Sequence, residues 1–66
     1  MPSINYGDVI TFTDKSGTVR EGVVTIIGPD DDMYRYVEAE SNGKRYFVNE
    51  KNFKSVVRKS YFTEEE

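Results

Sequence analysis

Asn42-Gly43 lies between two runs in which apolar and polar residues alternate, YVEAES before it and KRYFVN after it. A two-residue Asn-Gly loop is the strongest short-range signal for a type I′ β-hairpin, because both positions need positive φ. The loop fixes the register of the two runs: Ser41 opposes Lys44, Glu40 opposes Arg45, Ala39 opposes Tyr46, Glu38 opposes Phe47 and Val37 opposes Val48. Side chains alternate across a strand, so a slip of one residue would turn every one of them to the opposite face. Val37, Ala39, Tyr46 and Val48 share one face, which the pattern assigns to a core. Tyr36, Glu38, Glu40, Arg45 and Phe47 share the other.

Similar punctuation recurs along the chain, as "DKSG" at 14–17, "GPDDD" at 28–32 and "NEKN" at 49–52. β-Branched and aromatic residues fill the intervals and no window shows a helical period, which reads as all-β. A first strand is expected over Val9–Thr13, with Ile10 and Phe12 inward, and a long second strand over Thr18–Ile27. In that second strand Val19 falls out of phase with Val24 and Ile26, and a β-bulge or bend at Gly22 would restore the alternation. Gly28-Pro29 ends it, since proline cannot donate to a ladder. After the hairpin, Asn49 caps a single 3₁₀ turn, Phe53 drops into the core, and "SVV" at 55–57 closes the sheet as a fifth strand. The expected architecture is one five-stranded domain over residues 1–60, followed by an acidic tail at 61–66.

With 66 residues the chain buries only about 60% of the surface its unfolded form exposes. It has no cysteine and no histidine, which excludes disulfides, thiolate metal sites and the common nucleophile–base pairs of hydrolases. Glu38 and Glu40 are the nearest thing to a carboxylate pair, and cross-strand pairing with Arg45 accounts for them. So small a domain offers little concave volume for a small-molecule substrate, and the reading is of a non-enzyme with no cofactor. Three adjacent aspartates, Asp30–Asp32, point in different directions and lack the ligand spacing of a calcium loop, so they read as a solvated turn and no metal is expected. No apolar run approaches the ~20 residues that cross a bilayer and no signal peptide precedes the first strand, which gives a soluble, cytoplasmic protein as the expectation.

The net charge of −3 conceals an uneven distribution. Residues 1–33 carry two basic and six acidic side chains, whereas 44–59 carry six basic and one acidic. The +5 segment could meet phosphate, although a charge run more often solvates an exposed end of the chain.

Five strands, a bent second strand, a tight hairpin and a 3₁₀ turn before the last strand resemble an SH3-like barrel. Within it, "YGDVITF" followed by "GTVREGVVTII" looks like a KOW-type element, and "YFVNEKNFKSV" resembles the closing segment of a small bacterial family called YkvS-like. The likeness covers about 50 of 66 residues. The YkvS-like family implies no activity, whereas a KOW-type relationship implies docking on ribosomal RNA or RNA polymerase.

Tyr34, Tyr36, Arg45 and Phe47 form the candidate binding cluster, with Arg35 and Lys44 at its rim. Aromatics interleaved with arginine anchor protein–protein contacts and also stack on single-stranded nucleic acid. Alternatively the chain itself covers this face, with Ile4, Tyr6 or Tyr61-Phe62 folding over Phe47. The favoured reading is a non-catalytic interaction module for a protein partner, of the accessory, phage or mobile-element type that modulates a host complex. The competing one is a KOW-type nucleic-acid binder using Lys44, Lys51, Lys54, Arg58 and Lys59 beside Arg45, which the low pI of 4.9 opposes. A reader of PxxP peptides is a third, weakened by the absence of tryptophan.

Overall fold

A computed structural model describes residues 3–28 and 36–60. Five strands follow one another: β1 (Val9–Thr13), β2 (Val19–Ile27), β3 (Tyr36–Ser41), β4 (Lys44–Asn49) and β5 (Phe53–Arg58). They form one antiparallel sheet in the order β4-β3-β2-β1-β5, so the last strand returns to lie beside the first. β4 and β5 stand at the two ends of that order. No ladder joins them among the described residues, and the sheet is not closed by hydrogen bonding.

The β3–β4 hairpin has the register that the Asn-Gly loop dictates, from Ser41 opposite Lys44 to Val37 opposite Val48. Asn42 and Gly43 both take positive φ, 53° and 79°. Val37, Ala39 and Val48 are fully buried and join Ile4, Ile10, Phe12 and Val24 in one cluster, with Tyr46, Phe53 and Val56 packed on its margin. The Phe12 and Tyr46 rings lie 5.5 Å apart and tilted, within the range favoured by aromatic quadrupoles.

β2 departs from its expected phase. The bulge falls at Thr25, between the pairs Val24–Ala39 and Ile26–Glu38, and not at Gly22. Arg20, Gly22, Val24 and Ile27 therefore face inward, while Val19 (55% exposed) and Ile26 (37% exposed) face out. Gly22 has another reason to be glycine: β2 passes from β1 to β3 at Val23, and a Cβ on Gly22 would sit 2.9 Å from the Glu40 carbonyl oxygen. The backbones approach too closely there for any side chain.

Residues 49–52 form a single turn closed by one i→i+3 hydrogen bond, and it does not extend into a 3₁₀ helix. Asn52 N–H donates to the Asn49 carbonyl at 3.2 Å, and Asn49 Oδ1 accepts from Lys51 N–H at 2.9 Å. Asparagine side chains here take the backbone bonds that would have propagated a helix. β5 then begins at Phe53, two residues earlier than expected.

The opposite end is held by Asp8, a carboxylate sealed from solvent under a thin cover of chain. Its Oδ2 accepts from Asn5 N–H (2.9 Å) and from Lys59 Nζ (2.7 Å), and its Oδ1 from Ser60 N–H (2.7 Å). Burial pushes the Asp8 carboxyl upward, but these donors outweigh it and hold the group below the ordinary carboxylate value.

Candidate interaction surface

The solvent-facing side of the β2–β3–β4 region carries four apolar side chains, Val23, Ile26, Tyr36 and Phe47. Ile26 lies opposite Glu38, and Glu38 opposite Phe47, so one row crosses the three strands. Tyr36 is one step along β3 on the same face, diagonal to Phe47. The two rings stack with centroids 4.5 Å apart and planes inclined by 26°. Tyr36 is braced from beneath by Gly28, whose N–H donates to the Tyr36 carbonyl at 2.7 Å. Any Cβ at position 28 would overlap the Tyr36 ring. Glycine at the end of β2 thus makes the floor on which the aromatic pair rests. The sequence signalled Gly28 only as a strand terminator; the ring above it is visible only once the strands are paired.

Phe47 remains 57% exposed, so the described chain does not cover it. Ile4 enters the core and Tyr6 stands in solvent. Tyr34, the fourth member of the expected cluster, lies outside the described residues, as do Arg35, Asp30–Asp32 and the tail at 61–66.

Arg45 is exposed beside Phe47. Its charge partner is Glu38, diagonally across the hairpin at 3.7 Å, and not the directly opposed Glu40. A pair that long and that wet contributes little, so Arg45 keeps most of its capacity to contact a ligand. Lys44, Lys51, Lys54 and Arg58 are all exposed. Lys59 is different: its ammonium is engaged by buried Asp8 and by the Ser3 carbonyl at 3.2 Å, which commits it to the fold.

A groove of about 490 Å³ runs along the free side of β4, between that strand and the β1–β2 turn. Its floor is Tyr46, over which the Arg20 guanidinium lies 5.2 Å from the ring centroid. Asp14 holds Arg20 in place through a 2.7 Å bond to Nε. The Ser16 hydroxyl and then Arg20 keep the Asp14 carboxyl far below the usual carboxylate range, helped by the Thr18 and Ser16 N–H groups. Lys15, Lys44 and Arg45 complete a lining with four cations against one carboxylate, which is already satisfied. Sequence reasoning missed this groove because Arg20, an inward residue of β2, meets Asp14 and Tyr46 only through the β2 register.

Asn52 closes one end of the groove. Its Nδ2 donates to the carbonyls of Thr13 (2.9 Å) and Phe47 (3.2 Å), and its Oδ1 accepts from Asn49 N–H (2.8 Å). Its own carbonyl accepts from Thr13 N–H at 2.9 Å. One side chain thereby ties the end of β1 to the edge of β4.

No protein-family model, no curated protein and no solved structure matches this chain. Among the described residues no helix is long and apolar enough to cross a membrane.

Proposed function

We propose that this chain is a non-catalytic interaction module, a small barrel of the SH3-like type, that binds a protein partner through Tyr36, Arg45 and Phe47. The return of β5 to β1 and the bridge made by Asn52 support the barrel reading, in keeping with the resemblance to KOW-type and YkvS-like sequences. One observation carries the functional reading: Phe47 is more than half exposed while its ring is held against Tyr36, itself braced on Gly28. A ring left more than half in water gains the monomer little beyond its stack on Tyr36, and a ring ordered before binding loses little entropy on contact. Tyrosine, phenylalanine and arginine brought together are the composition of an interface hot spot. A modulator of a larger complex fits a domain that presents a preformed contact patch among its described residues.

The test is an amide chemical-shift titration of labelled protein against cell lysate, single-stranded RNA and duplex DNA at low salt. Shifts centred on Tyr36, Arg45 and Phe47 with lysate protein, lost in Phe47→Ala, are the expected result. Phe47→Ala removes a ring pair worth about 0.5–1.5 kcal/mol and should stay folded. If that variant unfolds, Phe47 is structural and the site is misplaced. Shifts with nucleic acid that collapse steeply as salt rises, centred on Lys44, Lys51, Lys54 and Arg58, would replace this reading with the KOW-type one.

A further inference from the structure

The two edges of the sheet differ in a way that bears on how a partner docks. β5 pairs with β1 through two register shifts, which leave Val57 and Lys54 as extra residues and break the edge line. Bulges of this kind blunt an edge against further pairing. β4 pairs with β3 without interruption over all six of its residues, so its outer edge is regular. Hydrogen-bonded and non-bonded pairs alternate in an antiparallel ladder, and in a two-residue hairpin the pair flanking the loop is bonded. The N–H and C=O of Arg45, Phe47 and Asn49 accordingly point away from β3. The Asn52 bonds agree, because they engage the Phe47 carbonyl and both backbone groups of Asn49. Arg45 N–H, Arg45 C=O and Phe47 N–H are left without a partner among the described residues. They face the groove, whose cations outnumber its carboxylates.

We infer that the partner contributes an extended acidic segment that adds to the free edge of β4 as a further strand, hydrogen-bonded to Arg45 and Phe47. This rests on the interaction-module reading above and specifies its chemistry. Asn52 stops the added strand at Phe47, because the next backbone groups are already used. The register is therefore set by the protein and not by the ligand. Side chains on the added strand alternate between two faces. On the outer face an apolar residue packs beside Phe47 and a carboxylate meets Arg45. On the inner face carboxylates meet Lys44 and Lys15, neither of which has an ion-pair partner among the described residues. Main-chain bonds provide the affinity and this charge pattern provides the selection, as in other strand-addition complexes. The positive lining disfavours a basic segment at the same edge.

The experiment uses the full chain, isotopically labelled, and three probes at low salt. They are the end-capped octapeptide Glu-Val-Glu-Glu-Glu-Val-Glu-Glu, which puts Glu at every position of one face and alternates Val with Glu on the other, the same peptide with Lys at each Glu, and a single-stranded RNA octamer. The acidic peptide should shift the Arg45 and Phe47 amide resonances and slow their solvent exchange at least fivefold. Lys44→Glu, checked as folded by its unchanged remaining spectrum, should weaken binding at least tenfold. Equal binding of the lysine peptide, or protection of these amides by RNA, overturns the proposal. So does protection that grows with protein concentration alone, which would assign the edge to a second copy of the chain. Peptide shifts at Ile26, Tyr36 and Phe47 without slowed exchange at the edge would also overturn it, yet leave the aromatic surface as the partner site. Loss of that broader reading instead requires partner binding unaffected by Phe47→Ala.

Discussion

Replacing Asn52 with aspartate preserves the shape of the side chain and removes both of its donors. In the native protein Nδ2 bridges the Thr13 and Phe47 carbonyls, while Oδ1 accepts from Asn49 N–H. Asn52→Asp keeps only the last bond and turns a carboxylate oxygen toward two carbonyl oxygens. Each net hydrogen bond is worth about 0.5–1.5 kcal/mol. The side chain is half-buried and the Phe47 bond is long at 3.2 Å, so the lower half of that range applies. Two lost bonds then cost about 1–2 kcal/mol, and electrostatic repulsion brings the expected loss to about 2 kcal/mol. Asn52→Ala loses all three bonds without the repulsion and should fall in the same range. In a domain of this size such a loss lowers the melting midpoint by on the order of 10 °C. Urea unfolding at pH 7, followed by far-UV circular dichroism and by the fluorescence of the five tyrosines, measures it directly. Amide exchange at Asn49 should quicken in Asn52→Ala and stay slow in Asn52→Asp. If Asn52→Asp unfolds within about 0.5 kcal/mol of the native protein, the bridge between β1 and β4 contributes nothing and the reasoning fails.

Gly28→Ala should displace the Tyr36 ring and cost about 1–3 kcal/mol by overpacking, with loss of the ring-current shifts between Tyr36 and Phe47 in the proton spectrum. Partner binding should weaken with it, and unchanged ring-current shifts would show that Gly28 is not the brace. The folded carboxyls of Asp8 and Asp14 titrate below their unfolded values. Their stabilisation is fully present above the unfolded carboxylate pKa and is lost as pH falls through the folded one. Stability should therefore be flat near neutrality and drop below about pH 4. Asp8→Asn should be less stable at pH 7 and lose less on acidification. An equal acid loss in both proteins would remove Asp8 from the account. Glu38→Gln should change stability by less than about 0.5 kcal/mol in a urea titration, as expected for an exposed pair.

The β3–β4 hairpin was fully legible in the sequence. The Asn-Gly loop and strict alternation left one register that buries Val37, Ala39 and Val48, and so left Phe47 on the outside. β1 was legible for the same reason. The long second strand was not, because its phase is decided by which neighbour it pairs with at each point. Its extra residue sits at Thr25, two residues beyond Val23, where β3 takes over from β1, and that placement sends Ile26 outward beside Phe47 and leaves Arg20 inward over Tyr46. The exposed aromatic pair thus follows from local rules, since turn chemistry and period-2 alternation act within a few residues. The brace under Tyr36, the charged groove and the unpaired outer side of β4 are set by how separate strands assemble. Their contacts depend on backbone positions that only the assembled sheet fixes.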